Sequence, residues 1–129
     1  MDSGGEQDHY ILDEHDQPVP VDLLTWGRWS ADFDNRRVAS WVAVNPRRPD
    51  CPIHVSTVFL GINHNWDPAG PPLLFETMIF AAGYEIDKTT ARAATMTEAR
   101  VKHDVGVALV THVLAAEREE ALRNQRAPG

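Results

Sequence analysis

The chain has 129 residues, 43% of them hydrophobic and 24% charged, with a formal charge of −7. That length suits one domain around one core, and the composition lies outside the range of disordered, collagen-like and disulfide-built chains. A net acidic balance without a basic cluster argues against direct nucleic-acid binding, which needs Lys and Arg gathered on one surface to neutralise phosphates.

Residues 1–16 carry six acids (Asp2, Glu6, Asp8, Asp13, Glu14 and Asp16) and no Lys or Arg. They read as an acidic, solubilising arm that could also attract a basic surface. The opening Met-Asp-Ser-Gly-Gly-Glu lacks the basic start and apolar run of a signal peptide, and no stretch of about 18 apolar residues follows, so no membrane partner is expected. Within the arm, Tyr10-Ile11-Leu12-Asp13 suggests an edge strand ahead of Asp16-Gln17-Pro18-Val19-Pro20, where two prolines exclude a helix. Asp22 is a plausible N-cap for a helix over residues 23–33, which places Leu23, Leu24, Trp26, Ala31 and Phe33 on one broad face; Asn35 closes it.

A strand over residues 36–44 follows, then a turn over 45–52 containing Cys51. This lone cysteine permits no internal disulfide or Cys-based metal knuckle and fits a reducing, cytoplasmic setting. Residues 53–62 and 73–80 read as two further strands, separated by a long Pro/Gly/Asn loop over 63–72. Thr95 and Glu98 match a capping box, opening a helix that runs to about residue 125. The expected fold class is α+β. It is a three-stranded antiparallel meander, open to a fourth strand, with a helix before it and a long helix after it. The core domain spans 17–116, with a solvated helical extension over 117–129.

If both strand loops close symmetrically, Val44 faces Ile53 and Phe59 faces Glu76. Both sheet faces are then apolar: Val42, Ile53, Val55, Phe59 and Met78 on one, Trp41, Val58, Leu60, Phe75 and Ile79 on the other. Such a sheet should be covered on both sides, by helices or by another subunit, although a slip of one residue would exchange the faces of a strand. The last helix shows two apolar stripes. Val101, Val105, Leu109 and Val113 form the main one, with the core-type histidine His112 upon it. Val107, Val110 and Leu114 form the second, which is left for the first helix or for a second chain. Gly106 lowers helix stability by about 1 kcal/mol relative to Ala, an expense that a close backbone approach would explain.

The segments Tyr10 to Asp13, Asp22-Leu23-Leu24-Thr25-Trp26-Gly27-Arg28-Trp29, Arg37-Val38-Ala39, Val55-Ser56-Thr57-Val58-Phe59-Leu60-Gly61 with His64, and Pro72-Leu73-Leu74-Phe75-Glu76-Thr77-Met78 cover most of residues 10–80. In them the chain resembles a family of small uncharacterised proteins of bacteriophages and prophages. Members continue into a helix with a Thr, an acidic-Ala pair and a His, to which Thr97-Glu98-Ala99 and His103 correspond. The chain departs from that pattern over 81–94 and in its longer last helix. The resemblance implies a viral context in a host bacterial cytoplasm and little chemistry.

Glu76 stands in the middle of an apolar strand, where an unpaired carboxylate would be costly. Ser40 and Thr57 are its expected structural partners. Its functional reading is a general base or metal ligand, and with His64 and His103 it would make a site of two histidines and a carboxylate. None of the six histidines shows a paired metal-ligand spacing, and no phosphate loop or nucleophile elbow is present, so no cofactor is expected. Trp66 and Asn65 lie in the 63–72 loop, where aromatic exposure signals binding. With Trp29, Val107, Val110 and Leu114 they are the candidate partner-binding residues. The leading expectation is a phage accessory protein, a homodimer that binds a host protein and inhibits a bacterial defence system in the manner of an anti-CRISPR. The rival is a His64/Glu76/His103 site acting as a hydrolase or as a sponge for a nucleotide signal; a virion or assembly accessory protein is a third reading.

Overall fold

A computed structural model describes residues 8–126 of the chain, so residues 1–7 of the acidic arm lie outside the described residues. Strand β1 (Tyr10–Leu12) pairs antiparallel with β2 (Pro18–Pro20). The turn between them is held by Asp13, whose carboxylate accepts from the His15 and Gln17 amides at 2.8 and 2.9 Å. Prolines are tolerated in β2 because this two-stranded ribbon has no inner strand requiring their missing N–H groups. The N-cap is where the sequence puts it: Asp22 accepts from the Thr25 amide at 2.7 Å and starts helix α1 (Leu23–Ser30). The expected continuation to residue 33 is broken. Asp32, in extended conformation, caps a separate short helix α2 (Phe33–Arg36) by accepting from the Asp34 amide.

Four antiparallel strands follow in the order β3 (Arg37–Ala43), β4 (Ile53–Phe59), β5 (Phe75–Phe80) and β6 (Thr90–Ala93), so the meander has its fourth strand. Helix α3 (Met96–Arg126) follows, with the Thr95 hydroxyl accepting from the Glu98 amide as in a capping box and the Glu98 carboxylate reaching back one residue further, to the Ala94 amide. No helix among the described residues is long and apolar enough to cross a membrane.

The register differs from symmetric closure by one residue at each hairpin. Ala43, not Val44, faces Ile53, and Phe75, not Glu76, faces Phe59. At the first hairpin the fully buried Asn45 ends the strand early. Its side-chain oxygen accepts from the Arg47 and Arg48 amides while its amide nitrogen donates to the Ala82 carbonyl at 2.8 Å. At the second, the amides of both Leu60 and Gly61 point at the Leu74 carbonyl, at 2.7 and 3.4 Å, and Gly61 has φ of 73°. That is a bulge with glycine in the left-handed region, and its extra residue shifts everything beyond it by one. A side chain at Gly61 would also collide with Trp26 Nε1 and the Tyr10 carbonyl, so the same glycine lets α1 and β1 dock.

The consequence is a two-layer molecule. Ile53, Val55, Thr57, Phe59, Phe75, Thr77 and Ile79 point toward α3 and are buried. The alternate residues Ser40, Val42, His54, Ser56, Val58, Glu76, Met78 and Phe80 form the other face, and no described element covers it. Val42 and Phe80 are 59% and 43% exposed there. Of the two covers expected for this face, helices or another subunit, the described residues supply no helix.

Helix α3 meets the sheet along Ala99, His103, Gly106 and Val110, all buried. Gly106 makes the closest approach: a Cβ there would lie 3.1 Å from Val55 Cγ1, the contact expected to offset its helix cost. Because the small residues set the contact line, the second stripe faces the core and the first faces outward except at its last member, Val113, which packs on the core. Val110 is buried and Val107 and Leu114 pack on the core, whereas Val101 and Val105 are 57% and 61% exposed and Leu109 is partly exposed. The far half of α3 is clasped by Glu117, which accepts from Tyr84 Oη and from Arg47 Nε, both at 2.6 Å. Burial, then the bond to Glu117, pushes the Tyr84 phenol up to about 12, while Tyr84 and Arg47 together hold the Glu117 carboxyl below its ordinary value.

Candidate functional site

The trio His64, Glu76 and His103 is not brought together. Thr77 and Glu76 are neighbours in β5 and so point to opposite faces of the sheet. Thr77 points toward α3, where its hydroxyl lies 2.6 Å from that of Thr57, which in turn lies 2.9 Å from His103 Nδ1. Glu76 points to the open face and pairs with Arg92 Nε of β6 at 3.4 Å. Among the described residues no group of three His, Cys, Asp or Glu could hold a metal ion. The metal and catalytic roles considered for these three residues therefore lack a common site.

Glu76 also lacks its expected structural partners. Thr57 is on the far side of the sheet, and Ser40, on the same side, lies 2.7 Å from His54 Nε2, whose ring stacks on Phe80 at 6.0 Å. The buried, hydrogen-bonded histidine is His103 and not His112, which is exposed. Desolvation holds the His103 imidazole below its ordinary pKa, the charge of Asp104 opposing and His54 assisting. A neutral ring suits this place, since its bonding partner is a hydroxyl and no carboxylate meets it.

The loop between β4 and β5 is the most distinctive feature of the surface. Asn63 accepts from the amides of Asn65 and Leu73 at 2.8 and 3.1 Å; Asn65 accepts from the Asp67 amide and donates to the Pro71 carbonyl; Asp67 accepts from the Ala69 amide. Each polar side chain thus bonds the backbone two or more residues on, and the loop carries its own scaffold. At its tip Trp66 is 97% exposed. A recess of about 540 Å³ beside it is lined by Asn63, His64, Asn65, Trp66 and Arg92. Arg92 also lies on the open face through its pair with Glu76, so this recess adjoins the uncovered sheet.

Of the other candidate partner residues, Trp29 is half-buried edge-on against Phe59, with ring centroids 5.6 Å apart at 89°, and Val107, Val110 and Leu114 belong to the core. Trp26 is half-buried too and donates to the Leu60 carbonyl. Sequence reasoning missed Arg92, which lay in a segment with no assigned element, and the Ser40–His54 pair, which the shifted register brings together. The Thr57–Thr77–His103 cluster was missed for the same reason; the polar residue at the centre of each apolar strand was its only signal. Comparison with protein-family models, curated proteins and solved structures finds no match, so function is argued from these residues.

Proposed function

We propose that this protein is a stoichiometric binding module that engages another protein through the Trp66 loop and the adjoining open face of the sheet. The observation that carries this reading is Trp66 itself, 97% exposed on a loop fixed by its own Asn and Asp side chains. Exposing an indole in water forgoes about 2 to 3 kcal/mol of burial, and a rigid aromatic anchor recovers it on binding with little loss of conformational freedom. The charges of Glu76 and Arg92 on the neighbouring face are paired with each other within the chain. Its exposed apolar residues Val42 and Phe80 are therefore left to contribute contact area. The phage resemblance supplies the context: an accessory protein acting in the host cytoplasm on a host protein, as an inhibitor of a defence system.

The test uses wild-type protein and Trp66→Ala in parallel as bait in host lysate, with both melting temperatures measured. The reading requires one dominant partner for the wild type, its loss by at least tenfold with Trp66→Ala, and melting temperatures within a degree or two of each other. Equal recovery by both baits would overturn it. A second reading, a pocket for a nucleotide signal, rests on the recess where Arg92 and His64 stand beside an aromatic ring. It requires a bound nucleotide in the purified protein and quenching of Trp66 fluorescence on titration with nucleotides.

A further inference from the structure

The outward stripe of α3 forms a seam with its own symmetry. Val101, Val105 and Leu109 are exposed at successive turns, and they border an apolar cleft of about 220 Å³ whose floor includes Ile79, Ala91 and Gly106. Glu98 stands one turn before Val101 and His112 one turn after Leu109 on the same side, both exposed. The run is thus acid, Val, Val, Leu, imidazole over about 21 Å of helix. Lys102 does not interrupt it, because its ammonium is drawn to the sheet edge and donates to the Arg92 carbonyl at 2.9 Å.

From this pattern we infer that α3 pairs with α3 of a second copy, antiparallel, about a twofold axis passing through Val105. That axis sets Val101 against Leu109 of the partner subunit and Val105 against its own equivalent. It also sets Glu98 against His112 of the partner subunit at both ends. The second copy is the occupant that this pattern selects, because the seam is complementary to its own reverse. Reversing the seam onto itself opposes each acid with an imidazole, whereas a parallel pairing would oppose Glu98 with Glu98 of the partner subunit. Glu98 has an oxygen to offer, since its cap on the Ala94 amide uses only Oε1. The cleft then receives partner side chains in place of water.

Light scattering from 1 to 300 μM should reach about twice the 14.4 kDa chain mass in a concentration-dependent way. Val105→Glu should hold the protein monomeric over that range with an unchanged far-UV spectrum and melting temperature. His112→Glu, which alters no core contact, should weaken association at least tenfold. Geometry is read by cross-linking in a Cys51→Ser background. Under mild oxidation Val105→Cys should link to itself, and an equal mixture of Val101→Cys and Leu109→Cys should link far more than either alone. A monomer at 300 μM overturns the inference, as does self-linking of Val101→Cys equal to that of Val105→Cys, which would mean parallel helices. The Trp66 variant leaves this association intact, so failure here and failure of the proposed function are distinguishable.

Discussion

The two faces of the one sheet use the same strands and opposite chemistry. Toward α3 the residues are Ile53, Val55, Phe59, Phe75 and Ile79, buried to within a few per cent, with a small polar cluster of Thr57, Thr77 and His103 sealed among them. On the other side Val42, Val58, Met78 and Phe80 alternate with Ser40, Ser56 and a Glu76–Arg92 pair. The first face determines whether the chain folds; the second is tolerable in water and remains available for contact. Apolar content alone does not separate them, since both carry β-branched and aromatic residues. Position relative to α3 does, and that is set by where the helix can come close.

The largest expected effect is therefore at the point of closest approach. Gly106→Val places a branched side chain where a single Cβ already lies 3.1 Å from Val55 Cγ1. It should destabilise by about 3 kcal/mol in urea unfolding, because helix and sheet must separate to admit it. An increase in stability would show that the contact is loose and that the stripes are not ordered as described.

A smaller effect concerns the polar cluster under the helix. The His103 pKa is lowered in the folded protein, so the unfolded chain binds a proton at higher pH than the folded one does. The stability this group contributes is complete above its unfolded value of about 6.5 and declines as pH falls below that. Urea midpoints should drop between pH 7.5 and pH 5.5 in the wild type. In His103→Gln the drop should be largely absent, with an overall loss of about 1 to 3 kcal/mol where the Thr57 hydroxyl loses one of its two partners and the buried ring its packing. An unchanged slope in the variant would assign the pH response to other groups.

Smaller again is the expected effect of Glu76→Ala. An acid in the middle of an apolar strand would be costly to strand if it faced the helix, but it faces the open side with one long contact to Arg92. Its removal should change stability by less than about 1 kcal/mol. A loss of 3 kcal/mol would mean that the open face is covered in solution.

Much of the fold was legible in the sequence. Three strands, the Asp22 cap, the Thr95/Glu98 box and the long last helix each rest on a local signal, and each stands. What was not legible depended on single residues acting at a distance. One bulge at Leu60 and Gly61 and one buried side chain at Asn45 displaced both hairpin registers, and with them the faces of β3 and β5 relative to β4. Strand β6, Thr90-Ala91-Arg92-Ala93, alternates polar residues with nothing larger than alanine over four residues, too short and weak a signal to stand alone; it is a strand because β5 offers it an edge. The stripes of α3 were ranked by bulk, whereas Ala99 and Gly106 decided the contact by being small. Trp66 was legible as an exposed loop aromatic, while its neighbour Arg92 needed the sheet to bring it there.

The contrast between the faces is tested most directly by one paired measurement, urea unfolding of Val55→Ser and Val42→Ser. These residues occupy adjacent strands at similar heights, one fully buried toward α3 and one 59% exposed on the other side. Val55→Ser should cost about 3 kcal/mol through lost burial, a cavity and a stranded hydroxyl, and Val42→Ser about 0.5 kcal/mol or less. Equal costs for the two would contradict the account, because they would place the second face inside the folded protein as firmly as the first.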